Sequence, residues 1–109
     1  MPQTHKVLGQ SNPSATTLTT LYTVPSATSA VVSTLSIANL ATTRATYRVA
    51  VRPAGASAAN QHYIAYDVTL LGNDSIMLTL GITLAATDVV SVYASTANAA
   101  FSLFGCELT

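Results

Sequence analysis

Three of the four basic residues in this 109-residue chain, Arg44, Arg48 and Arg52, recur at every fourth position. In a β-strand, residues four apart share a face, with successive members about 13 Å apart. Such a stripe could grip carboxylates of a partner subunit, because a guanidinium holds a carboxylate through two parallel hydrogen bonds. It could equally pair with the chain's own Asp67 or Glu107, or stand as a solvated outer face. Together with Lys6, Val7 and Leu8 near the start of the chain, the three arginines form the candidate partner interface. A stripe for single-stranded nucleic acid would need more charge and interleaved aromatic rings. Four basic residues cannot neutralise a phosphate backbone, so no nucleic-acid partner is expected.

The remaining reactive side chains are few and scattered. His5 and His62 lie far apart in sequence, and neither has a cysteine or second histidine at metal-ligand spacing. Cys106, in "FGCEL", shares the register of Phe104 and Leu108 and reads as a core or interface thiol. No basic group stands near it in sequence to activate it. Acid–base chemistry would have to come from Asp67, Asp74, Asp88 and Glu107. Asp74 and Asp88 fall in turn sequences, where a carboxylate satisfies local backbone N–H groups. Phosphate-cradling and nucleophile-elbow glycine patterns do not occur. The expectation is a chain with no catalytic residues, no cofactor and no metal.

Composition points the same way. Charged residues make up 7% of the chain, formal net charge is zero, and 50% of positions are apolar. There are 18 Ala, 17 Thr and 11 Ser, and no Trp. Disordered chains combine low hydrophobicity with high net charge, the opposite balance. A surface so poor in ionised groups favours association, so a homo-oligomer is expected, with a closed ring as the default symmetry. No stretch is long and apolar enough for a membrane helix, and "MPQTHKVLGQ" lacks the pattern of a secretory signal. No membrane partner is expected. A single cysteine leaves stability to packing and assembly rather than to an internal disulfide.

Positioning these residues falls to strands. Ten Val, four Ile and 17 Thr are stiff, β-branched residues, and apolar spacing at three and four is nowhere sustained. Residues 1–15 read as an extended N-terminal arm, and residues 16–109 as a single β-sandwich domain. "TTLTTLYTVP" stops at Pro25, followed by a turn over Pro25–Thr28. "AVVSTLSIANL" places Val31, Ser33, Leu35 and Ile37 on one side. "RATYRVAVRP" sets Tyr47, Val49 and Val51 against Arg44, Thr46, Arg48, Ala50 and Arg52. "HYIAYDVTLL" alternates Ile64, Tyr66, Val68 and Leu70 against Tyr63, Ala65, Asp67 and Thr69. "SIMLTLGIT" carries an apolar face of Ile76, Leu78, Leu80 and Ile82, and "VVSVYAS" and "AFSLFGCEL" complete the set. About eight short strands at regular spacing predict an all-β fold, an antiparallel β-sandwich of jelly-roll-like or immunoglobulin-like kind.

The succession "TTLYTVPSATSAVVSTLSIAN", "YRVAVRPAG", "HYIAYDVTL" and "TLGITLAATDVVSVYAS" resembles a group of small all-β virion proteins of tailed bacteriophages. The similarity runs over approximately residues 6–108, and the order of the motifs carries it. Some members have a glycine after the proline of "YTVP", where this chain has Ser26-Ala27. The resemblance implies a non-enzymatic virion structural subunit, assembled in the host cytoplasm. In that group the expected role is a capsid decoration, or cement, protein on the outer head surface, a homotrimer that stabilises the lattice of major capsid protein. A tail, neck or fibre-base component is the second structural reading. A glycan-binding host-attachment module is a third, with Tyr22, Tyr47, Tyr63, Tyr66 and Tyr93 as candidate stacking platforms.

Overall fold

The computed structural model describes residues 3–109. The alternating segments form eight strands: β1 (Gln3–Ser11), β2 (Thr19–Thr23), β3 (Ser29–Asn39), β4 (Ala45–Arg52), β5 (Tyr63–Leu70), β6 (Ser75–Leu84), β7 (Val89–Ala94) and β8 (Ala99–Leu108). Two single 3-10 turns, Pro53–Gly55 and Asn60–His62, lie in the connection from β4 to β5.

The strands build two four-stranded antiparallel sheets, ordered β1-β8-β3-β6 and β2-β7-β4-β5. The pairs β1–β8, β2–β7, β3–β6 and β4–β5 are nested, as in one long hairpin. Pairing of β3 with β8 and of β4 with β7 seals that ribbon into a roll. This is the eight-stranded jelly roll, the first of the two sandwich topologies expected from the sequence. Between the sheets lie Val24, Val32, Leu35, Ile37, Val49, Leu70, Leu84, Val90, Val92, Phe101 and Leu103, all essentially without solvent contact. Asn39 ties the layers at one end. Its buried side-chain amide donates to the carbonyls of Thr43, Leu70 and Leu71 at 2.9, 3.4 and 3.2 Å, and its oxygen accepts the Ala41 N–H.

Strict alternation fails where the ladders carry an extra residue, because each bulge moves the following side chains to the other face. In β3, Ser33 is extra relative to β8, so Val32 and Leu35 both point inward and Val31 is only half-buried. In β2, Leu21 is extra relative to β7, and the consecutive Leu21 and Tyr22 are both buried. In β5, the core receives Ala65 and Leu70, while Ile64, Tyr66 and Val68 stay exposed, against the expected grouping of Ile64, Tyr66, Val68 and Leu70.

The extended arm expected over residues 1–15 is in large part a strand. Its first two positions lie outside the described residues, and Gln3–Ser11 is an edge strand laid along β8. β-branched and long side chains on a pleated edge give it cross-strand neighbours, and the extra residue Leu8 turns into the core. The next residue, Gly9, lies so close to β2 that a Cβ there would overlap the Leu21 carbonyl. Gly81, on the opposite edge strand, has φ +63° and open space around it. Gly9→Ala is therefore expected to lower stability by about 3 kcal/mol through forced separation of the two strands, and Gly81→Ala by about 1 kcal/mol through backbone conformation alone. Urea unfolding of the two variants measures the difference, and equal losses would contradict this account of the β1–β2 flank.

Candidate functional site

Arg48 is the best-organised polar side chain on the surface, and a bulge organises it. Tyr47 pairs with Val68 and Val49 with Ala65, so two residues of β5, Tyr66 and Asp67, oppose the single residue Arg48. Asp67 takes the left-handed conformation, φ 52°, which aspartate tolerates better than most residues. The result brings two consecutive side chains to the same arginine. Asp67 accepts from Arg48 Nε at 2.6 Å and from a terminal guanidinium nitrogen at 3.2 Å. Tyr66 lies with its ring centre 4.1 Å from the guanidinium carbon, and Tyr93, directly opposite Arg48 on β7, at 4.2 Å. The hydrogen bond to Asp67 raises the Arg48 pKa above its ordinary value, against a smaller opposing effect of burial. Arg48 thus serves its own chain, through Asp67, one of the two acids considered for it from the sequence.

The other candidate interface residues separate. Arg44 lies one residue before β4 and is exposed, while Arg48 and Arg52 lie within the strand. Arg52 turns over β7, donating from Nε to the Ser91 hydroxyl at 3.1 Å and from a terminal nitrogen to the Ala56 carbonyl at 2.9 Å. Beneath it, Ser91 and its cross-strand partner Ala50 are buried. Leu8 belongs to the core and Lys6 pairs with Glu107, which leaves Val7 as the exposed apolar member of that trio.

Glu107 joins three strands. Its carboxylate lies 2.9 Å from Lys6 Nζ on β1 and accepts the Tyr22 hydroxyl of β2 at 2.6 Å. The Tyr22 hydrogen bond first, then that of Lys6, holds the Glu107 carboxyl below the usual carboxylate range. Burial, followed by the same hydrogen bond, pushes the Tyr22 phenol well above its ordinary value. Tyr22 and Tyr47 are both buried, so neither can be a stacking platform for a ligand. The remaining acids cap turns, as their positions suggest. Asp88 accepts the N–H groups of Ala54 and Ala85, each at 2.9 Å, and Asp74 accepts that of Ser75 at 2.8 Å.

Two hollows mark the outer faces. One, of about 610 Å³, lies on the β1-β8-β3 face among His5, Val7, Val31, Phe104 and Cys106. His5 and Cys106 face each other across β1 and β8. The other, of about 410 Å³, is lined by Asn60, Tyr63 and Tyr66 beside the Arg48 cluster. Sequence reasoning missed that cluster because the Tyr66–Asp67 bulge leaves no signature in the alternation. Its only advance sign was an Asp and three Tyr in strands flanking an arginine. Among the described residues, no three His, Cys, Asp or Glu side chains converge as a metal site would require.

Two measurements check these assignments. A double-mutant cycle with Arg48→Ala and Asp67→Ala is expected to give a coupling of about 0.5–1 kcal/mol, since Asp67 is substantially exposed and solvent screens the pair. No coupling would mean that the tyrosines alone hold the arginine. For Glu107, a folded-state pKa below the unfolded one stabilises the fold fully above the unfolded value. That contribution is lost as the pH falls through the folded value. Stability should therefore decline as pH falls below the ordinary carboxylate range, and Glu107→Gln should flatten that part of the pH profile. An unchanged profile would remove the clasp from the account. No protein-family model matches the chain, and no curated protein matches it.

Proposed function

We propose that the protein is a non-enzymatic structural subunit of a phage virion, a capsid decoration protein that assembles as a homotrimer on the outer head surface. One observation carries the assembly. Seven large apolar side chains of the described residues are exposed: Val7, Leu40, Ile64, Tyr66, Val68, Leu71 and Met77. Leu40, Ile64, Val68, Leu71 and Met77 make up the flank offered for assembly, on β5, on β6, in the turn between them, or in the β3–β4 loop held against that turn by the Asn73 N–H to Ala41 carbonyl bond, while Tyr66 lies apart over Arg48 on the outer sheet face. Beside them, Ile76, Leu78, Leu80 and Ile82 pack on the core but are only half-buried. Exposed apolar side chains gathered along one flank are the kind of surface that interaction sites use. A contact between this flank and a different patch on the next copy closes into a ring when the rotation allows.

The electrostatics support a lattice-binding role. Asp67, Asp74, Asp88 and Glu107 are all engaged inside the chain, as are Lys6, Arg48 and Arg52. What remains for recognition is apolar and hydrogen-bonding surface, which suits close contact with major capsid protein better than long-range steering. The ordered series of motifs that resembles small all-β virion proteins supplies the setting. A tail or neck ring would use the same flank. Native mass spectrometry of the free protein is expected to show a trimer, and Val68→Asp combined with Leu71→Asp to yield folded monomers. Cryo-electron microscopy of the intact particle should place the chain on the head lattice. A monomeric wild-type protein would overturn the assembly, and density confined to the tail would overturn the decoration role.

A further inference from the structure

From the corner formed by Asn60, Tyr63 and Tyr66, we infer that the outer face of the β2-β7-β4-β5 sheet carries a binding site for a neutral hexopyranose unit of a glycan. The two tyrosine rings stand nearly perpendicular, at 87°, with centres 5.0 Å apart, and with Asn60 they line the hollow of about 410 Å³. That volume lies at the small end of the range for ligand sites and suits one sugar ring with its attending waters. A pyranose ring offers a patch of C–H groups that packs on an aromatic ring, and hydroxyls around its rim. The corner offers the matching parts. Tyr66 is 55% exposed, and no hydrogen bond among the described residues uses the Tyr63 or Tyr66 hydroxyl or the Asn60 side-chain amide.

The corner is also held in place before any ligand arrives. Arg48 stacks against Tyr66 and is itself fixed by Asp67 and by Tyr93 on its other side. The turn that presents Asn60 is pinned by two contacts. The His62 N–H donates to the Ala59 carbonyl at 3.0 Å, and the Ala59 N–H to His62 Nδ1 at 3.1 Å. Such support reduces the ordering cost of binding.

Charge selects the ligand class. An anion finds no free cation here, because Arg48 is already paired with Asp67. A cationic ligand finds the side of Tyr66 toward Tyr93 already taken by that guanidinium. A neutral, hydroxyl-rich ligand meets neither obstacle.

The site does not depend on the virion assignment, and its test requires no particle. Saturation-transfer-difference NMR on the purified full-length protein would use the methyl glycosides of glucose, galactose, mannose and N-acetylglucosamine as probes. At least one is expected to show transfer to its ring C–H protons. Tyr66→Ala is expected to weaken that binding about tenfold. Asn60→Ala, in an exposed turn, should weaken it severalfold with no change in melting temperature, which guards against misreading a folding defect. Absence of transfer to all four glycosides would overturn the inference, as would equal transfer to the Tyr63→Ala/Tyr66→Ala double variant. Displacement of the rings' signals by a proline-rich peptide with no sugar response would also overturn it, reassigning the corner to a peptide.

Discussion

The outer strands of the two sheets must end somewhere, and this chain has almost no charge with which to guard those ends. A flat edge strand exposes a row of unpaired N–H and C=O groups that invites pairing with another chain, and charged side chains are one common defence. Here the defence is geometric. All four outer strands carry an extra residue: Leu8 in β1, Leu21 in β2, Ile64 and the Tyr66–Asp67 pair in β5, and the Leu80–Gly81 pair in β6. Each bulge adds local twist and breaks the regular ladder that another edge would need. The same extra residues decide which side chains enter the core, so edge protection and core composition are set by one device.

The two flanks use that device differently. At the β1–β2 flank, the bulges send Leu8, Leu21 and Tyr22 inward, and the close approach at Gly9 together with the Lys6–Glu107–Tyr22 link joins the sheets. At the β5–β6 flank they leave Ile64 and Val68 outside and the apolar face of β6 half-covered. One flank is therefore finished within the subunit, and the other retains apolar surface whose burial would add stability on assembly, at about 25 cal/mol per Å² before the costs of association. A small roll with one closed and one open flank is thereby polar across its width.

Much of this was legible in the residues. β-branched content and turn chemistry gave the all-β class, the strand count and the apolar face of β6, and the capping roles of Asp74 and Asp88 followed from their turns. The bulges were not legible, because an extra residue is defined by its partner strand and the partner is not adjacent in sequence. The pairing of residues 3–11, within the segment 1–15 read as an extended arm, was hidden for the same reason, since β8 lies at the other end of the chain. The different surroundings of the three arginines were not legible either, since Arg44 falls just before the strand begins.

Arg48 shows why a local pattern misleads in a sparsely charged protein. Spacing suggested a row of equivalent cations, yet each arginine meets different neighbours once the sheet forms. Arg52 covers a buried serine, Arg44 remains in solvent, and Arg48 is held by a carboxylate and two rings drawn from strands on both sides of it. The bulge that creates this environment also turns two of the guanidinium's nitrogens toward Asp67. In pairing Arg48 with Asp67, the fold sets the rings of Tyr66 and Tyr93 against it. The spacing left that stripe open between a partner's carboxylates and the chain's own Asp67 or Glu107, and the fold pairs its middle member with Asp67.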